Sequence, residues 1–166
     1  MSRTFLTDAF ENVKDQVGAC GIWCGSCVIG NGTLRELTRR YRQTISDYGL
    51  EKWGPKEFDW EEFSKGLASL ERLPVCPGCL RGGGRENCEI RACASQRHLD
   101  HCAACSIPAS CPHAVLLGHM RSGAVAAALF VLPEGAQPAA LVKEWTAALK
   151  ARWPCSVLFS QEMTDR

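Results

Sequence analysis

The stretch from Cys76 to Cys111 constrains this chain more than any other. It reads CPGC, LRGGGREN, CEIRAC, ASQRHLDH, CAAC, SIPAS and then Cys111, and it holds seven of the chain's eleven cysteines. Between the cysteines lie glycines, arginines and short polar runs. Isolated apolar residues such as Leu80, Ile90 and Leu99 do not offset the backbone entropy of ordering such a segment. Cysteines at ligand spacing supply the alternative. Cys76/Cys79 and Cys102/Cys105 are Cys-x-x-Cys pairs, a spacing that lets two thiolates meet one metal ion from a tight turn. Cys88 and Cys93 are spaced to reach one ion or cluster together. Metal binding is then folding free energy, on the order of 10 kcal/mol or more for a structural site.

A second cysteine group stands upstream as Cys20-Gly-Ile-Trp-Cys24-Gly-Ser-Cys27. Gly21 and Gly25 let the backbone wrap closely around whatever the thiolates hold. Three thiolates leave one coordination position, either open or filled from a distance. Cys111 is the expected fourth ligand, because it has no near partner beyond Cys105 and precedes Pro112. Radical S-adenosylmethionine enzymes bind a cluster at this same spacing, but they need a barrel-length chain that is missing here.

Size and charge bound the rest. At 166 residues the chain is one ordinary domain, or a small core with an appendage. Its apolar fraction of 46% suffices for a packed core, and a net charge of +1 gives no field that argues for nucleic acid or a membrane surface. The N-terminal residues MSRTFLTDAFENVKDQ carry acids and no apolar run, so they do not read as a secretory signal. The longest apolar run, 124–133, is far short of the ~20 residues a membrane span needs. The chain therefore reads as cytoplasmic, where disulfides do not persist and dense cysteines point to metal or redox chemistry.

Along the chain, helices are expected over 7–17, from a capping box at Thr33 and Glu36 to Gly49, from Asp59 to Pro74, from Pro112 to about Gly123, and over 138–153. Arg35, Arg39, Arg40 and Arg42 lie mostly on the solvent side of the second helix. Trp23, Trp53 and Trp60 read as core or lid residues over a metal site. The run 124–133 and the segment 155–160 read as strands flanking the last helix. The expected class is α+β: a small, irregular, cysteine-rich, metal-stabilised core with two or three N-terminal helices and a C-terminal strand–helix–strand unit. The expected division is 1–118, helical and metal-binding, and 119–166, the extension packed on it.

CGIWCGSC, CPGCLRGGG, CEIRAC and CAAC with one more cysteine shortly after, in that order, resemble the domain of unknown function 3795 family. The resemblance covers about residues 20–111 and implies metal binding through Cys20, Cys24, Cys27, Cys76, Cys79, Cys88, Cys93, Cys102, Cys105 and Cys111. It departs from the family pattern at the end, where Ser110 rather than proline precedes Cys111. Cys155 falls outside it and reads as a buried thiol.

Purely thiolate ligation suits both zinc and iron–sulfur clusters. No histidine sits at zinc-finger spacing, the first group needs a remote partner, and Cys111-Pro112 matches ferredoxin-type runs. A four-iron cluster at Cys20, Cys24 and Cys27 is therefore favoured over zinc. The RGGGR run 81–85 reads as a turn between ligands rather than an anion cradle. His98, His101 and His113 read as surface or outer-sphere groups, and no catalytic constellation stands out. Three functions remain: a redox or accessory iron–sulfur protein, a structural zinc module that docks a protein partner, and an enzyme with an open metal centre. Chelation under reducing conditions is expected to abolish amide protection over 76–111; protection that survives in the metal-free chain would sink the metal-held reading.

Overall fold

The computed structural model describes residues 13–57, 59–74 and 76–153. Among these are helices α1 (Thr33–Tyr48), α2 (Leu50–Trp53), α3 (Trp60–Glu71), α4 (Glu89–Gln96), α5 (Ala114–Ala126) and α6 (Pro138–Arg152). Single 3-10 turns occur at Cys24–Ser26, Cys79–Arg81, Cys102–Ala104 and Pro108–Ser110.

Helices α1 and α3 pack on each other. Asp59 starts α3 as expected, its carboxylate accepting from the N–H groups of Glu61 at 2.8 Å and Glu62 at 3.1 Å. The capping box of α1 does not form. Gly32, left-handed at φ 78°, takes the cap position, and the Thr33 N–H donates to Asn31 Oδ1 at 3.0 Å. Glu36 turns instead to Arg39 and Arg40, each at 2.7 Å. Two guanidinium groups at i+3 and i+4 outcompete one backbone amide for the carboxylate. Arg35 donates to the Glu71 carbonyl at 3.1 Å, and Arg42 pairs with the Glu71 carboxylate. The helix arginines thus tie α1 internally and to α3. Tyr41 meets Phe63 edge-on at 6.3 Å, but Leu37, Tyr41 and Tyr48 stay partly exposed because α3 covers only one side of α1.

No sheet forms among the described residues, so the α+β expectation is wrong and the fold is helical. Extended pairing is limited to two isolated antiparallel bridges, Val17 with Trp23 and Ile22 with Val131. The run 124–133, read as a strand, splits in two. Its alanines are strong helix formers and carry α5 past Gly123 to Ala126. Ala128 then takes a positive φ of 58°, and the Leu129 N–H closes on the Ala124 carbonyl at 2.9 Å, a left-handed helix stop. Only the part around Val131 is left to pair. The expected strand 155–160, with Cys155, lies outside the described residues, and so does most of the expected helix 7–17. Residues 118 and 119, the expected domain boundary, lie inside α5.

Two apolar clusters organise the chain. In the first, α6 lays Trp145 and Leu149 against Val17, Trp23, Ala103 and Leu132. Trp23 is fully buried; its ring sits 5.9 Å from both Phe130 and Trp145, and its Nε1–H donates to the Lys14 carbonyl at 2.6 Å. Gly25 permits this, since a Cβ there would fall 2.6 Å from the indole. In the second cluster, Ile90 and Ala94 of α4 meet Ala19 and Cys20, with Leu116, Leu117 and Met120 of α5 packed alongside. No helix among the described residues is long and apolar enough to cross a membrane. Trp23→Ala is expected to cost about 3–5 kcal/mol, the range for truncating a fully buried aromatic, read as a lowered midpoint in urea unfolding.

Candidate metal centre

The first cysteine group begins in a tight hairpin. The Gly21 N–H bonds the Gly18 carbonyl at 2.8 Å, the Gly18 N–H bonds the Ile22 carbonyl at 2.9 Å, and Gly21 takes a φ of 87°. Val17 and Trp23 leave one side of this hairpin for the aromatic cluster. Gly18, Cys20, Ile22 and Cys24 line a cavity instead. An even residue spacing thus places Cys20, Ile22 and Cys24 on a common wall while Trp23, between Ile22 and Cys24, anchors the far side.

Three further thiols leave their turns in one repeated geometry. The Cys27 N–H bonds the Cys24 carbonyl at 3.1 Å, the Cys105 N–H bonds the Cys102 carbonyl at 3.1 Å, and the Cys111 N–H bonds the Pro108 carbonyl at 3.3 Å. Cys27, Cys105 and Cys111 are all extended, with φ/ψ of −74°/124°, −71°/131° and −67°/119°. The glycine run wraps Cys76: a Cβ on Gly83 would fall 2.8 Å from its Sγ. Arg91 of α4 holds this loop by donating to the carbonyls of Cys79 at 3.2 Å, Gly83 at 2.9 Å and Arg85 at 3.2 Å.

These elements gather the cysteines into two cavities. The first, of about 180 Å³, is lined by Cys20, Cys24, Cys27, Cys76, Cys79 and Cys88, with apolar wall from Val13, Ile22, Met120 and Leu129. The second, of about 210 Å³, is lined by Cys93, Cys102, Cys105 and Cys111. All ten are free thiols. Among the described residues no three His, Cys, Asp or Glu side chains are drawn closely enough to hold a single ion. The sulfurs stand around spaces several times the ~30 Å³ share of one water.

This grouping differs from the expected one in two places. Cys111 joins Cys93, Cys102 and Cys105, and the companions of Cys20, Cys24 and Cys27 are Cys76, Cys79 and Cys88. Cys88 and Cys93 do not meet. Cys88 is the cap residue before α4 and Cys93 lies inside it. Five helical residues turn through about 500°, which leaves the two side chains roughly 140° apart around the axis. They open into different cavities while Ile90 and Ala94 between them face the core.

Three residues that the motifs do not flag support the site. The Gln16 side chain is buried, and its Oε1 accepts from the Leu80 N–H at 2.6 Å and lies 3.9 Å from Cys24 Sγ. It joins the first group to the Cys79–Leu80 peptide. Arg91 holds the glycine loop, and Arg121 of α5 donates from Nε to the Cys20 carbonyl at 2.9 Å. Residues of this kind carry no sequence signature. Of the histidines, His113 lies 3.3 Å from the Glu89 carboxylate, and the buried Nδ1 of His101 has no partner.

Burial dominates the electrostatics. It pushes the Cys20 thiol up, and Cys79 and Cys88 nearby add to the effect. Burial likewise raises Cys24 to about 11; the Cys79 backbone N–H offsets part of this, and the neighbouring Cys79, Cys20 and Cys76 reinforce it. Cys102 is raised to about 11 by burial, against the pull of Arg121 and with the push of Cys111, Cys93 and Cys20. Such groups stay neutral until a cation compensates them.

Helices arranged around two thiol-lined cavities define a cysteine-rich helical protein. The family model described as protein of unknown function (DUF3795) matches residues 16–115, and the chain belongs to that family. No curated protein matches it, and no solved structure does.

Thiols raised to about 11 are protonated at neutral pH, so a bound cation has to displace their protons. Zinc taken up by the reduced chain is expected to release protons and to bind more tightly as pH rises from about 6 to about 8. Calorimetry in buffers of different ionisation enthalpy counts these protons; uptake without release would exclude the thiols as ligands.

Proposed function

We propose that the chain is a metal–thiolate protein whose first cavity holds an iron–sulfur cluster, and that it acts in the cytoplasm as a redox or accessory protein. The observation that carries this reading is the convergence of six cysteines from separate stretches on one apolar-walled cavity of about 180 Å³. All the donors lining it are cysteines, three of them in the Cys20–Cys27 loop, and no histidine is among them. The donor set fits, since iron–sulfur clusters take cysteine thiolates.

Cys20, Cys24 and Cys27 would supply three ligands and Cys79 the fourth. Cys79 heads the thiol neighbours of both Cys20 and Cys24, its sulfur packs at Gly18 beside them, and Gln16 bridges its peptide to Cys24. Once bound, the group would supply one-electron chemistry at a potential set by its surroundings. The apolar wall of Val13, Ile22, Met120 and Leu129 backs the sulfurs, and Arg91 fixes the loop that carries Cys79. The alternative, zinc holding a surface for a protein partner, draws on the Cys-x-x-Cys turns, which such modules also use.

Protein purified without oxygen is expected to be brown, to absorb near 400 nm and to contain iron and sulfide. Cys24→Ala and Cys79→Ala should each remove the share of iron, sulfide and absorbance held in the first cavity. A colourless protein carrying stoichiometric zinc at these cysteines would overturn the cluster reading and favour the alternative.

A further inference from the structure

We infer that Cys93, Cys102, Cys105 and Cys111 form a second, separate metal centre, charge-compensated by Arg121. The inference stands independently of what the first cavity holds.

The geometry supports separateness first. The four cysteines line their own cavity of about 210 Å³, and none of them lines the first. The wall between the two is the backbone at Ala19 and Cys20. The Cys102 N–H donates to the Ala19 carbonyl at 2.8 Å, and Arg121 Nε donates to the Cys20 carbonyl at 2.9 Å. Helix α4 completes the partition by turning Cys88 and Cys93 away from each other.

Arg121 is the second, independent observation. Its Nε is committed to the partition, its side chain lines the second cavity, and its charge favours the ionised form of the Cys102 thiol there. A half-buried guanidinium is best met by an anionic group beside it. Four thiolates around one divalent zinc ion leave roughly two negative charges, and a four-iron cluster on four cysteines is anionic as well. Either would place an anion beside the Arg121 cation. Arg97 adds a second cation to the lining and Glu134 one anion, so the wall is net basic. The ligand count is also complete: four thiolates satisfy either centre with nothing borrowed from the first cavity.

The test uses the full-length chain purified without oxygen, with iron, sulfide and zinc counted per chain. Cys105→Ala and Cys111→Ala are each expected to lose one zinc, or four irons with their sulfide, while the metal held through Cys24 and its spectrum are unchanged. Cys24→Ala should show the converse loss. Zinc or iron in the lost fraction identifies which thiolate-bound metal the centre takes. Alkylation followed by mass spectrometry guards against variants that do not fold. In the wild-type protein the four thiols should resist iodoacetamide until a chelator is added. The inference is overturned if both variants keep all their metal, or if the four thiols alkylate freely while those of the first cavity are protected. Loss of the first centre's metal in Cys105→Ala or Cys111→Ala would also overturn it, by showing one shared site.

Discussion

Crowding ten thiols into two small cavities is the constraint on which the rest of this structure depends. An ionised thiolate in such a place meets both a desolvation cost and the repulsion of its neighbours. Burial accordingly pushes Cys20, Cys24 and Cys102 towards the neutral form. Neutral thiols are weak hydrogen-bonding groups and do little to hold a loop in place. The loops around them are instead held from outside, by Gln16 and Arg91 in the first cavity and by Arg121 between the two. That division of labour leaves the sulfurs themselves uncommitted, which is what a ligand set requires.

The hairpin at residues 17–23 is where these demands meet. One of its sides presents Cys20 to the first cavity, and the other sends Trp23 into the aromatic cluster with Phe130 and Trp145. Its carbonyls serve three partners in succession: Cys102 at Ala19, Arg121 at Cys20 and Leu132 at Gly21. The Trp23 N–H returns to Phe130, and the Phe130 N–H bonds Ser26 Oγ. The same seven or so residues therefore fix both cavities and dock the C-terminal helix. Packing of α6 then becomes part of the support for the cavity-facing side, since a shift of Trp23 moves Cys24 beside it.

How much of this was legible in the sequence varies with the kind of signal. Local chemistry was readable. Asp59 starts its helix, Gly49 ends α1 in the left-handed conformation, and α6 begins at Pro138. Signals that depend on competition were not. Glu36 had two arginines to choose over the cap, and the alanines after Gly123 weighed more in favour of helix than Val125 and Val131 did in favour of strand. The cysteines gave their type but not their grouping. Spacing alone makes Cys88 and Cys93 look like a pair; only the helical period of EIRACASQ separates them. That helix could have been foreseen from Ile90 and Ala94, four apart and flanked by strong helix formers. Gln16 and Arg121 could not, because their partners are backbone groups and thiols brought from distant positions by the fold.

The separation into two cavities also explains how the helical pair α1 and α3, with few buried residues, can lie between the cysteines of one cavity in the sequence. Helices α1 and α3 occupy most of the chain between Cys27 and Cys76, and they leave Leu37, Tyr41, Tyr48 and Leu70 partly exposed. A segment with few outside contacts contributes little to holding its own ends together. The first cavity needs those ends close, since its cysteines come from both sides of the α1 and α3 pair. The entropic cost of closing a loop grows only as the logarithm of its length, roughly 0.6 kcal/mol for each doubling. Lengthening the connection from a bare turn to two helices is therefore cheap for a site closed by metal, where one binding event supplies on the order of 10 kcal/mol. The second cavity makes the opposite choice. Its four cysteines fall within nineteen residues, from Cys93 to Cys111, and need no long closure at all. A local centre of this kind can assemble first and hold the Ala19–Cys20 wall in place through Cys102 and Arg121, so that the long loop closes onto a surface already formed.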